Sequence, residues 1–453
     1  MSSHRRLSNA IRGLKEKFNS QIGGRNASPP WILFLSDELM QLILSFLDQA
    51  SLARMSSVCH LLHAISNPLL YHSVTLDLWQ GLKFAGSLED NATLVQLVKS
   101  VAIHDHYVQF PDLHTEYATY TALLSRSIAR LSGLRKLTVK SCYNHDVFRA
   151  RAHTDDLLEF VQQTSLVFDS FFLEALQPWH LTKLRTCELN LSDSELWDFG
   201  ERECILFHPT LRTLSIVGAS ISDIQSFRPT QTHITQLEEL NLLCCDLSSQ
   251  TLGKILAIPK SLRRFTYKGA PRVTAKAKHT VIVYEEYFDA LQQHAHSLRA
   301  LDISFWNCQY FRNPAVDLRG FGALEEVTIK PGVLQGNRGD CHDLTPLTGN
   351  PFPPSLKSLT LFDSKHALDK LLEARYVSVL SRWFNDGDLP NMGCLTFATP
   401  ALEDYQLEQI PGSWTVAFRG NVVVQRQDLV TVNYFPFDCD CCEYNLGAWS
   451  LRF

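Results

Sequence analysis

Two hydrophobic rhythms divide the chain. Between residues 34 and 76, apolar side chains recur at helical spacing. Leu39, Leu42, Ile43, Phe46 and Leu47 fall at i, i+3, i+4, i+7 and i+8. Ser36 stands where a first helix would be capped, and Asp37 and Glu38 occupy its first turn, where carboxylates suit the helix dipole. Asp48 or Ser51 restarts the chain, and Leu52, Met55, Val58, Cys59, Leu62 and Ile65 continue the helical period. Pro68 disfavours helix at Asn67, so the third helix is expected to end near there. Three helices this short and apolar cover one another only in part, which leaves surface for a partner.

From about residue 98 the rhythm changes to Leu-x-x-Leu-x-Leu. It is clear at Leu134–Val139, Leu211–Ile216, Leu237–Leu242, Leu298–Ile303, Leu324–Ile329 and Leu356–Leu361, and weaker at Val98–Ile103, Leu184–Leu189 and Leu262–Tyr267. The segments that open at 184, 211, 237 and 262 are separated by 27, 26 and 25 residues. A period of about 20–29 residues with this motif is the leucine-rich-repeat signature. Each repeat supplies one short strand whose alternate side chains enter a shared core, and the next repeat stacks on it. Cys142 and Cys245 fall where such repeats place Asn or Cys, a structural reason for two thiols. The period is broken by inserts at about 104–133, 143–183, 271–297 and 331–355. The last is rich in Pro, Gly and Asn, reads as a loop, and is a contact candidate.

Alternation also predicts an outward wall. The residues flanking the third apolar position are Thr138 and Lys140, Glu188 and Asn190, Ser215 and Val217, Asn241 and Leu243, Thr266 and Lys268, Asp302 and Ser304, Thr328 and Lys330, and Thr360 and Phe362. Lys140, Asn190, Val217, Leu243, Lys268, Ser304, Lys330 and Phe362 are taken from it as candidate contact residues. The wall mixes both charge signs and points to neither a phosphate-only nor a strongly basic ligand. Residues 401–453 carry strand-like runs, "WTVAF", "NVVVQ" and "LVTVNYF", and read as a β-rich cap over the last repeat. The expected organisation is α/β: a basic arm at 1–33, a three-helix unit at 34–76, an irregular repeat solenoid at 77–400 and the cap at 401–453.

Composition narrows the function. A net charge of −5 over 453 residues argues against a mainly electrostatic nucleic-acid binder. No apolar run is long enough to span a bilayer, and no signal-peptide core opens the chain, so the twelve cysteines are expected as reduced thiols in the cytoplasm or nucleus. The arm places Leu7, Ile11, Leu14 and Phe18 on one helical face among basic residues, but its reading is a poorly ordered tail rather than a membrane contact. Cys439, Cys441 and Cys442 lack the usual zinc-hairpin spacing, and His104-Asp105-His106 reads as a polar turn after a strand, so neither a metal nor any other cofactor is expected. No nucleophile elbow, phosphate-binding loop or dinucleotide fingerprint occurs, and an enzyme has no constellation to stand on.

The helical stretch resembles an F-box. The resemblance rests on Leu35-Ser36-Asp37-Glu38-Leu39, on Ile43 and Phe46-Leu47, on Leu52, Met55, Val58-Cys59 and Leu62, and on an ending, "NPLLYHSVTL", like that of fungal members. It spans about 43 residues and departs at Ser36, where the family usually has proline. The resemblance implies a substrate receptor of a cullin-RING (SCF-type) ubiquitin ligase. The F-box would dock a Skp-family adaptor and, through it, the cullin and RING subunits, while the repeats hold the substrate protein. Carried over residue by residue, the adaptor contacts would be Leu35, Ser36, Leu39, Ile43, Leu47, Leu52, Met55, Val58, Cys59 and Leu62. The alternative is an interaction scaffold that acts without ubiquitin transfer.

Overall fold

The computed structural model describes residues 35–106, 114–142, 170–191, 196–269, 283–304, 315–330, 333–334, 349–362, 388–392, 394–398 and 421–422. The basic arm and the Cys439 cluster lie outside them. The chain forms two compact units, residues 1–73 and 74–453.

The first unit holds α1 (Asp37–Leu44), α2 (Gln49–Ser56) and α3 (His60–Leu70). Ser36 caps α1, its hydroxyl accepting the Leu39 N–H at 3.5 Å, and Asp48 caps α2 by accepting the Ser51 N–H at 2.7 Å. Its buried core is Met40, Leu44, Leu52 and Leu62, with Leu35, Leu47, Met55, Cys59, Ile65, Leu69 and Leu70 packed around it. A polar seam ties α2 to α3: the His63 ring meets the Ser56 hydroxyl at 2.9 Å and the Asn67 amide at 3.0 Å. The third helix ends near Pro68, as expected, but it passes through that residue and stops at Leu70. So close to the end of the helix, the ring removes a single backbone bond, and Tyr71 N–H still closes the last turn on Asn67 O at 3.0 Å.

The second unit is built on a sheet. Its strands are β1 (Ser73–Leu76), β2 (Ser100–His106), β3 (Lys136–Cys142), β4 (Thr186–Asn190), β5 (Trp197–Asp198), β6 (Thr213–Val217), β7 (Ala219–Ile221), β8 (Glu239–Leu247), β9 (Arg264–Gly269), β10 (Ala300–Ser304), β11 (Glu326–Ile329), β12 (Ser358–Phe362), β13 (Cys394–Ala398) and β14 (Asn421–Val422). The main path follows chain order and leaves out β5 and β7, which form a short side ladder with the end of β8. From β2 to β14 the main-path pairings are parallel, with one slip of register, between β8 and β9. Each Leu-x-x-Leu-x-Leu segment therefore supplies one strand, and the weaker segments at 98, 184 and 262 do so as regularly as the strong ones. Residues 394–398 add a strand that the motif did not announce. Within the expected cap, Asn421–Val422 adds one more parallel strand; the rest of 401–453 lies outside the described residues.

Two inward rows make the core of this unit. One runs Leu137, Cys187, Leu214, Leu240, Phe265, Leu301, Val327, Leu359; the other runs Val139, Leu189, Ile216, Leu242, Tyr267, Ile303, Ile329, and all are at most 2% exposed. Burying each such side chain stabilises the fold by about 1.5–3 kcal/mol relative to exposure. The inserts are more structured than loops. The first contains α6 (His114–Ala129), which packs against α4 (Leu78–Asp90); the third contains α8 (Tyr284–Leu291), which packs against α7 (Ser249–Ala257). The short helix α5 (Leu94–Leu97) leads into β2. His104-Asp105-His106, expected in a turn, continues β2 in register with Lys140, Ser141 and Cys142.

Gly218 turns the chain between β6 and β7 at a φ of +69, a backbone region that disfavours residues with a Cβ. Cys244 has a φ of +51, and the register slips between Leu243 and Cys245, which marks a bulge in β8. The bulge lets the Cys245 thiol donate to Ile216 O and Leu243 O, both at 3.4 Å. The first of these bonds ties β8 to β6, a structural role for the thiol. Burial pushes the Cys245 thiol up to about 12, so it is not a reactive group.

Candidate functional site

The first unit exposes what a free-standing fold would hide. Helix α1 carries two apolar stripes, roughly 120° apart at 100° per residue. Met40, Leu44 and the following Leu47 form the inward stripe. Leu39 and Leu42, with a half-buried Ile43 among them and Phe46 just past the end of the helix, form the other, and Leu39, Leu42 and Phe46 are 50%, 55% and 53% exposed. Val58, in the link between α2 and α3, is 65% exposed, and Leu61 in the first turn of α3 is 39% exposed. Large apolar side chains concentrated on so few residues mark an interaction surface.

The carried-over adaptor residues divide accordingly. Leu39 and Val58 project to solvent, and Ser36 is exposed as the cap of α1. Ile43 is half-buried, and Leu35, Leu47, Met55 and Cys59 lean on the core. Leu52 and Leu62, 5% and 3% exposed, belong to that core and hold the helices together. Leu42, Phe46 and Leu61 were not among the candidates. Leu42 and Phe46 sat in the periodic pattern, but one helical period cannot say which of two apolar stripes faces inward.

The outward wall of the sheet also needs correction. One row across it reads Thr138, Glu188, Ser215, Asn241, Thr266, Asp302, Thr328, Thr360, and the next begins Lys140, Asn190, Val217, Leu243, Lys268, Ser304. Val217, Leu243 and Ser304, expected to be available, are only 5%, 9% and 6% exposed. In-register neighbours stand about 4.8 Å away on each side, so a short side chain is shaded by longer ones. Lys140 and Lys268 are engaged: Lys140 pairs with Glu188 at 3.0 Å, and Lys268 pairs with Asp302. Burial holds the Asp302 carboxyl above the usual carboxylate range, against the pull of Lys268. Asn190 and Lys330 are half-exposed, and the Phe362 side chain lies outside the described residues. In the 331–355 insert, Val333, Leu334 and Phe352 are buried, and Leu318 N–H donates to Pro351 O at 2.7 Å. The described ends of that insert are thus anchored in the core rather than free for contact. Among the described residues, no group of three His, Cys, Asp or Glu side chains could hold a metal, and no helix is long and apolar enough to cross a membrane.

Residues 37–77, which include all three helices and the exposed apolar side chains, match the F-box-like family. No curated protein matches the chain. Among solved structures, an internalin (InlF) from Listeria monocytogenes aligns over 74% of this chain and 82% of its own, at 11% identity and a TM-score of 0.31.

Proposed function

We propose that this chain is the substrate-recognition subunit of an SCF-type ubiquitin ligase. The F-box of residues 37–77 docks a Skp-family adaptor, which links it to the cullin and RING subunits, and the leucine-rich-repeat unit holds the protein to be modified. The observation that carries the reading is the exposed stripe Leu39, Leu42, Phe46, with Val58 and Leu61, on a segment of F-box type. The receptor's work is tethering: it raises the local concentration of a substrate lysine near chemistry carried by other subunits. No residue of this chain need be catalytic.

A second reading keeps the docking but not the transfer. Ser36 replaces the proline usual at that place, and its cap on α1 is a long 3.5 Å contact. A weaker dock suits a scaffold that holds an adaptor without recruiting a cullin. Co-purification decides between the two. The intact chain and a Leu39→Asp/Phe46→Asp variant are each tested for retention of adaptor and cullin. Both partners on the intact chain alone support the receptor; adaptor without cullin supports the scaffold; neither on either chain refutes both.

A further inference from the structure

The residue after the first leucine of each repeat forms a row of its own along the N-terminal edge of the sheet. Arg135 N–H donates to Lys99 O at 2.7 Å, Arg185 N–H to Arg135 O at 2.8 Å, and Arg212 N–H to Arg185 O at 2.8 Å. Four consecutive positions are therefore basic, and Lys136 stands beside Arg135. Arg135, Lys136, Arg185 and Arg212 are all exposed. Arg212 reaches Glu238 at 2.9 Å, whereas no acidic side chain among the described residues pairs with Arg135, Lys136 or Arg185. Beyond Arg212 the row changes sign. Glu238 and Glu239 follow, then Arg263 and Arg299, then Glu325 and Glu326, and here the charges neutralise one another: Arg263 with Glu238 at 3.6 Å, Arg264 with Glu326 at 3.5 Å, and Lys357 with Glu325 at 2.9 Å.

We propose that this basic edge, Lys99 to Arg212, is a docking site for a short acidic segment of a partner protein. Given the receptor reading, that segment belongs to the substrate, and the site lies at the entry to the strands rather than on the wall between them. Three features set the occupant's chemistry. Strands stand about 4.8 Å apart, so the Arg135, Arg185 and Arg212 positions span about 10 Å, the reach of three or four extended residues. The guanidinium groups of Arg135 and Arg185, which pair with no acid among the described residues, present forked donors that match carboxylate or phosphate oxygens. The acidic pair at Glu238 and Glu239 closes one end, so a long uniform polyanion such as RNA meets repulsion after Arg212 while a short acidic cluster does not.

The test is fluorescence anisotropy on the purified full chain, with a labelled ten-residue glutamate-rich peptide, a neutral peptide of equal length and a ten-nucleotide single-stranded RNA as probes. Arg135→Glu/Arg185→Glu is the working variant; Lys357→Glu, in the neutralised part of the row, is the control. Both alter exposed side chains, and unchanged circular dichroism checks that they fold. The expected result is binding of the acidic peptide only, weakened at least tenfold in Arg135→Glu/Arg185→Glu, weakened by added salt, and unchanged in Lys357→Glu. Equal binding of the acidic and neutral peptides, equal loss in both variants, or tighter binding of the RNA overturns the proposal. Adaptor retention by the same variants separates the two claims: loss of peptide binding with adaptor retained concerns the edge alone. Peptide binding by a chain that retains no adaptor sinks the receptor reading and leaves the edge site standing.

Discussion

Truncating α1 on its two faces should separate docking from folding. Leu44 is 2% exposed, and Leu44→Ala removes a buried isopropyl group and leaves a cavity, a loss of about 2–5 kcal/mol. Leu39, Leu42 and Phe46 already expose about half their surface, so Leu39→Ala or Phe46→Ala should cost the free protein well under about 1 kcal/mol. In the docked complex the arithmetic reverses. Burying the exposed half of a large apolar side chain is worth about 1 kcal/mol, so Leu39, Leu42 and Phe46 together supply about 3 kcal/mol. The triple alanine variant should therefore bind the adaptor about 100-fold more weakly, since each 1.4 kcal/mol is tenfold. Calorimetric titration with adaptor reads the second quantity, and hydrogen exchange of the α1–α3 amides reads the first. If the triple variant binds adaptor as the parent does, or if Leu39→Ala loosens the helices as much as Leu44→Ala, the assignment of the two stripes is wrong.

Four further outcomes follow from individual side chains. Burial raises Cys204 and Cys245 to about 12, so neither should react with a maleimide at pH 8 in the native protein, and both should react in denaturant; mass spectrometry of digests reads this. Their stabilising contribution is complete below the thiol's ordinary value near 9 and is lost as pH rises from there toward 12, so the repeat unit should unfold in less urea at pH 10.5 than at pH 8. The raised Asp302 carboxyl favours the folded state when protonated and weakens it once pH climbs past the ordinary carboxylate value. Asp302→Asn should thus raise the urea midpoint at pH 7, and the gain should shrink toward pH 3.5. Removing the cap of α2 with Asp48→Ala should cost about 1 kcal/mol, read as faster hydrogen exchange in residues 49–56, with the sheet amides unaffected.

Much of the fold is legible because its core repeats a short rule. A Leu-x-x-Leu-x-Leu segment has its inward positions named by alternation alone, and the stacking of successive segments fixes the register as well as the pairing. That is why Leu262–Tyr267, with Phe265 and Tyr267 in place of leucines, still forms β9 between β8 and β10. The rule is silent where a helix has to be placed. The inserts at 104–133 and 271–297 looked irregular because α6 and α8 lie in them at no constant distance from the strands.

The site was harder to read for a related reason: period identifies a face and not what covers it. On α1, the stripe through Leu39, Leu42 and Phe46 and the stripe through Met40 and Leu44 are both apolar, and only packing against Leu52 and Leu62 decides which is spent on the core. On the sheet, alternation predicts an outward place for Val217, Leu243 and Ser304, yet they are almost wholly buried. The basic edge escaped for the opposite reason. Arg135, Arg185 and Arg212 are 27 or more residues apart in sequence, and each follows a leucine in a different repeat. Stacking makes them neighbours, with each backbone amide bonded to the carbonyl of the one before. Charge that is balanced over the whole chain is thereby sorted into a positive run and a neutralised run along one line, and it is this sorting that a partner can read.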